Sequence, residues 1–139
     1  MKPEDLMLGD WVSYSEHTIE QLMSFMASSI RGRKSFEIPK YLKVTKTMFR
    51  TSYQFEPILI TDDILSKNGF TLRLDEWYLE DFDGYKNHVW IYPSYLSDDD
   101  DMLLVDMSND DNSIMIEIKY VHELQHALKL CKIEKEIIL

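Results

Sequence analysis

Cysteine is nearly absent. The 139 residues contain one, Cys131, so no intrachain disulfide can form, and a lone thiol suits a reducing, cytoplasmic compartment. Glycine and proline are scarce, four of each, which leaves no glycine-rich phosphate loop and no dinucleotide-binding fingerprint. Positive charge is short as well: 15 Lys and Arg stand against 25 Asp and Glu, a formal net charge of −10. Such a chain lacks the cationic surface that displaces counterions from phosphate, which argues against generic nucleic-acid binding and against adhesion to anionic membranes. No window approaches the ~18 apolar residues of a membrane-spanning helix. The start, Met1-Lys2-Pro3-Glu4-Asp5, lacks the apolar core of a signal peptide. A soluble intracellular protein is the expectation.

What the chain does have is core material. It is 45% hydrophobic and 12% aromatic, too rich in core-formers to stay disordered. The length fits a single compact domain over residues 1–139. Within it, a β-rich part over 1–60 can be distinguished from a helix–meander–helix part over 61–139. The only low-complexity tract is Asp98-Asp99-Asp100-Asp101.

The fold class read from these residues is α+β. Leu6 to Val12, with a glycine turn at Gly9, reads as the start of a first strand. Thr18 to Met26 fits a helix through Ile19, Leu22, Met23 and Met26, but its polar flanks also permit a strand. Arg31-Gly32-Arg33-Lys34 reads as a basic turn. From Tyr41 to Phe55, Leu42, Val44, Tyr53 and Phe55 alternate with polar residues, so this half is expected to be a small barrel of the SH3 type. Thr61 to Lys67 reads as a short helix: Thr61 caps it, Asp62 and Asp63 complement its dipole, and Asn68-Gly69 stops it. Phe70 to Lys119 reads as an antiparallel meander. Tyr120 to Cys131 reads as a helix packed on that sheet, and 134–139 as a last strand.

One motif invites a function. His122-Glu123-Leu124-Gln125-His126 matches the H-E-x-x-H pattern of zinc metallohydrolases, in which two histidines hold zinc and the glutamate takes a proton from metal-bound water. On that reading His122 and His126 are the metal ligands, zinc is the cofactor and Glu123 is the general base. A third ligand is then required. Residues 127–139 contain no histidine, and Lys129 and Lys132 stand where the extended pattern needs a glycine and a third histidine. The acids there, Glu134 and Glu136, sit close to the helix end, and an upstream ligand such as His88 or His17 would be an unusual arrangement. Val121, Leu124, Leu128 and Cys131 form the apolar stripe of this helix, so His122 and His126 are expected on the opposite side, where a cleft could lie but open solvent is the simpler reading.

Three blocks together carry a resemblance: Leu8-Gly9-Asp10-Trp11-Val12, Pro57-Ile58-Leu59-Ile60-Thr61 running into Ile64 to Phe70, and Tyr120-Val121-His122-Glu123-Leu124-Gln125. In these the chain resembles a family of short uncharacterised proteins of Bacteroidetes, their phages and their mobile elements, whose C-terminal helix opens Y-V-H-x-L-Q. The resemblance implies no activity. It implies that His122 belongs to a recurring helix start, whereas Glu123 and His126 are incidental.

Other clusters read as structural. Asp106, Ser108, Asp110 and Glu117 fall on a calcium-loop spacing, but Asp111 stands where the loop needs glycine and the flanks are strand-like, so an acidic hairpin turn is expected. Asp98 to Asp101 and Glu80-Asp81-Phe82-Asp83-Gly84 read as solvated turns. Cys131 lies on the apolar stripe and reads as a buried, inert thiol. Trp77, Tyr78, Tyr85, Trp90, Tyr92 and Tyr95 cluster in the meander, as core filling in part and as an interaction surface in part. These readings favour a non-enzymatic accessory protein acting through a protein partner, its acidic surface suited to a partner's nucleic-acid site. No catalytic, cofactor or metal residue is assigned on this reading.

Overall fold

The computed structural model describes residues 6–28, 38–83, 87–110 and 112–139, and the chain divides into two units, Met1–Ile58 and Leu59–Leu139. The turn expected at Arg31 to Lys34 lies outside the described residues, as does Gly84.

In the first unit, Gly9 adopts φ +87°, which lets the chain reverse before strand β1 (Trp11–Tyr14). The buried Asp10 carboxylate locks this turn by accepting from Met7 N at 2.7 Å. β1 pairs antiparallel with β2 (Leu42–Lys43) and β3 (Phe55–Pro57), in the order β2-β1-β3. Leu6, Val12, Val44 and Phe55 form the core of the unit, with Tyr14 stacked on Phe55 at 5.4 Å between ring centroids. Between β1 and β2 runs helix α1 (Glu16–Ser28). Ser15 settles its conformation: the hydroxyl accepts from Thr18 N at 3.3 Å, and Glu16 adds negative charge to the first turn.

Two expectations fail in this unit. The strand anticipated over Tyr41 to Phe55 breaks into β2, a 3₁₀ segment (Lys46–Gln54) and β3. The alternation lapses across Lys46 to Arg50, and Met48 N bonds Thr45 O at 3.1 Å, closing a local turn in competition with a ladder. The three strands are short and linearly ordered, so the sheet is open and no SH3-type barrel forms among the described residues.

The second unit is a five-stranded antiparallel sheet in sequence order: β4 (Phe70–Arg73), β5 (Glu76–Asp83), β6 (His88–Pro93), β7 (Leu103–Asn109) and β8 (Asn112–Ile118). Helix α2 (Asp62–Lys67) precedes it. Its start and stop follow the local signals: Thr61 Oγ1 accepts from Ile64 N at 3.3 Å, and Gly69 takes φ +84° just past the last turn. β5 continues through Asp83, so the turn expected over Glu80 to Gly84 is strand up to that point.

Helix α3 (Val121–Leu130) closes the unit. Val121, Leu124, Ala127, Leu128 and Cys131 are buried, as are Val89, Ile91, Val105 and Met107 on one face of the sheet. Cys131 Sγ approaches Asn112 O at 3.5 Å, so the end of α3 lies on the β7–β8 end of the sheet. Residues 134–139 form no strand, contrary to expectation. Ile133 and Ile137 bury their side chains, and a side-chain amide replaces a ladder: Asn68 Oδ1 accepts from Ile138 N at 2.7 Å while Asn68 Nδ2 donates to Ile138 O at 2.8 Å. No described helix is long and apolar enough to cross a membrane.

Candidate functional site

The H-E-x-x-H segment is the first turn and a half of α3, and its chemistry is that of a helix start. Tyr120 is the N-cap residue, with extended backbone (φ −115°, ψ 152°). Glu123 stands three residues on, where a carboxylate can fold back over the free amides that open every helix. Its Oε1 accepts from Tyr120 N and from Lys119 N, each at 3.0 Å. One oxygen thus carries two backbone donors, and the negative charge sits at the positive end of the helix dipole.

The histidines are not on an open surface. His122 is only 7% exposed, which corrects the solvent-facing expectation, and His126 is half-buried. Aromatic packing accounts for it. The Tyr120 ring lies nearly parallel to His122 (5.9 Å, 11°), and His126 meets His122 edge-on (5.6 Å, 75°). Among the described residues no three His, Cys, Asp or Glu side chains stand where they could share a metal ion. His88, a candidate third ligand, is engaged elsewhere.

That engagement forms a second cluster, one that spacing alone did not show. The strand registers align Thr71, Tyr78, Trp90, Asp106 and Met115 directly opposite one another across all five strands. Beside this row His88, which pairs with Ser108, stacks on Trp90 at 3.9 Å, and its Nε2 shares a hydrogen bond of 2.9 Å with Asp106 Oδ1. His88 Nδ1 is buried without a hydrogen-bond partner among the described residues. The Arg73 guanidinium lies over the Tyr78 ring at 3.9 Å, a cation–π contact. Burial, with the Asp106 charge second, pushes the Tyr92 hydroxyl above its usual range. In sequence the signal was the alternation of His88, Trp90 and Tyr92. Their partners on β5 and β7 needed the register.

The calcium-loop residues are not brought together as a cage. Asp106 is committed to His88, Glu117 accepts from Ser94 Oγ at 3.0 Å, and Asp110 sits in the β7–β8 turn with φ +51°. The acidic run is ordered by its own bonds: Ser97 Oγ accepts from Asp99 N at 3.2 Å, and Asp99 Oδ1 accepts from Asp101 N at 3.0 Å. Lys119 Nζ donates to Asp99 Oδ2 at 2.8 Å, a bond that holds the Asp99 carboxyl below its ordinary range and the Lys119 ammonium above its own. Cys131 is fully buried, and desolvation raises its thiol.

A third feature lies where the β4–β5 turn, the β6–β7 loop and the start of α2 meet. It is a groove of about 400 Å³ with an apolar floor that includes Leu72, Trp77, Pro93 and Leu103. Beside it, Leu74 is 95% exposed at the hairpin tip. Compared with known proteins, this chain matches no protein family, no curated protein and no solved structure.

Proposed function

We propose that this protein is a non-enzymatic accessory protein that works by contact with a protein partner, of the phage or mobile-element type that its sequence resembles, inside the cell. The observation that carries this reading is the double acceptance by Glu123. A general base must be free to take a proton from a metal-bound water. Here the carboxylate holds the amides of Lys119 and Tyr120 just ahead of α3, and the flanking histidines are packed against Tyr120 and each other. The net charge of −10 suits a cationic partner, one whose own site accepts nucleic acid.

Two measurements test it. Untagged protein is expected to carry no stoichiometric zinc, and Glu123→Gln is expected to fold, with a small loss of stability, and to keep its partner. A photo-crosslinking amino acid placed at Met115, which is 56% exposed, or at Leu74 is expected to trap a discrete protein adduct in the host. Stoichiometric zinc that is lost in His126→Ala, with a hydrolytic activity lost in Glu123→Gln, would establish the metallohydrolase instead.

A further inference from the structure

We infer that the groove beside the β4–β5 hairpin is the docking site for a protein segment in which arginine or lysine alternates with leucine-like side chains. The inference rests on the protein-contact reading above and names the chemistry of its partner. The floor is apolar and open: Leu72 is 51% exposed, and Trp77 and Leu103 are half-buried beside Pro93. Its volume, about 400 Å³, lies within the range of built ligand sites. A floor of this kind gains from any apolar side chain that covers it, and it does not itself choose among them.

The rim makes the choice. Asp62 from α2, Asp75 from the β4–β5 turn, and Asp100 and Asp101 from the β6–β7 loop surround the floor. Asp99, next to them, pairs with Lys119, whose charge also acts more weakly on Asp101. Among the described residues no Lys, Arg or His nitrogen lies within ion-pairing distance of the four rim carboxylates. Four like charges around one apolar floor repel phosphate and repel a second copy of this acidic chain. They complement a guanidinium or ammonium group, which can also lie on the face of Trp77. Each surface pair is weak and screened by salt, so the apolar contacts supply affinity and the carboxylates supply selectivity.

The test uses the full chain and fluorescence anisotropy with three labelled synthetic peptides: leucine–arginine alternating, serine–arginine of the same charge, and leucine–glutamine of the same apolar content. The leucine–arginine peptide is expected to bind saturably and the other two far more weakly. Leu72→Ser should weaken binding by about tenfold and Asp101→Asn by about twofold, while Glu134→Gln, an equal charge change away from the groove, should leave it unchanged. All three positions are exposed, so the variants are expected to fold. Equal losses in Asp101→Asn and Glu134→Gln, no effect of Leu72→Ser, or no saturable binding would each overturn the inference. A crosslinked partner alongside any of those outcomes would leave the protein-contact reading standing and remove only the groove from it.

Discussion

Asn68 serves residue Ile138, seventy positions away, as a neighbouring strand would: its amide accepts from Ile138 N at 2.7 Å and donates to Ile138 O at 2.8 Å. The same Nδ2 donates to Ile64 O at 2.8 Å, so one buried side chain ties the end of α2 to the C-terminal segment. Asn68→Ala would leave buried backbone groups without partners, and each such group costs about 1–3 kcal/mol. The expected loss is about 3 kcal/mol in urea denaturation, with faster amide exchange at Ile138. Asn68→Asp keeps the acceptor, loses the donor and sets a carboxylate against two carbonyls, so it should be no better at neutral pH.

At the start of α3, Glu123→Ala should destabilise by about 1 kcal/mol, because two opening amides lose their acceptor. Glu123→Gln retains an acceptor oxygen and should lose less than half of that. Denaturation midpoints of the two variants, compared at neutral pH, decide the point. Equal losses would show that the charge on the helix dipole matters and the hydrogen bonds do not.

Leu74 and Asp75 both adopt left-handed backbone, φ +50° and +68°, in the two-residue turn between Arg73 and Glu76. Such turns favour Asn-Gly, since a leucine there crowds its own carbonyl by about 1 kcal/mol. At 95% exposure Leu74 recovers none of this through packing. Replacing the pair by Asn-Gly should therefore raise stability by about 1 kcal/mol, measured by thermal or urea unfolding. If the docking inference holds, the same change weakens the leucine–arginine peptide.

The Lys119–Asp99 pair sets a pH window. Asp99 is held below its ordinary 3.8, mainly by the hydrogen bond from Lys119, so its contribution is present above that value and is lost as acid protonates it. Lys119 is held above its ordinary 10.5 by the same bond, so its contribution is present below that value and is lost as the amine deprotonates. The pair is solvated, and its effect at neutral pH is small and salt-dependent. In Asp99→Asn, NMR titration should show the Lys119 amine returning towards its ordinary value.

Cys131 should resist alkylation in the folded protein and react on unfolding. Burial raises the thiol above its ordinary 9.0, so the Cys131 thiol stays neutral in the folded chain where that of the unfolded chain begins to ionise. Stability is therefore expected to fall as pH rises past that value. A thiol reagent assayed with and without denaturant provides the check. Fast labelling of native protein would contradict the buried position.

Much of the second unit was legible because its signals are local. Thr61, the two aspartates after it and Asn68-Gly69 bound a helix without reference to anything distant, and α3 follows from one apolar stripe. Residues 41–55 misled because four apolar positions fitted a strand, whereas Lys46–Gln54 winds into 3₁₀ turns kinked at Thr51. Residues 134–139 misled differently: they form no strand, and at Ile138 the Asn68 side chain takes the backbone bonds that a neighbouring strand would have taken. His122 was placed in solvent because a helical wheel counts apolar residues and ignores stacking of tyrosine on imidazole.

The sequence by itself determined what this protein is made to avoid and most of its local elements. Its single cysteine excluded an intrachain disulfide, its few glycines and its acidity argued against phosphate loops and phosphate binding, and its caps and turns marked α2, α3 and the meander. Only the tertiary structure showed where the Glu123 carboxylate lies, on the amides of Lys119 and Tyr120, a contact that the five residues of the motif do not reveal. Only it paired His88 with Asp106, or set Leu72 and Trp77 among four carboxylates from three separate segments. Such relationships depend on strand register and loop position, and these are set by long-range burial, which no short stretch of sequence encodes.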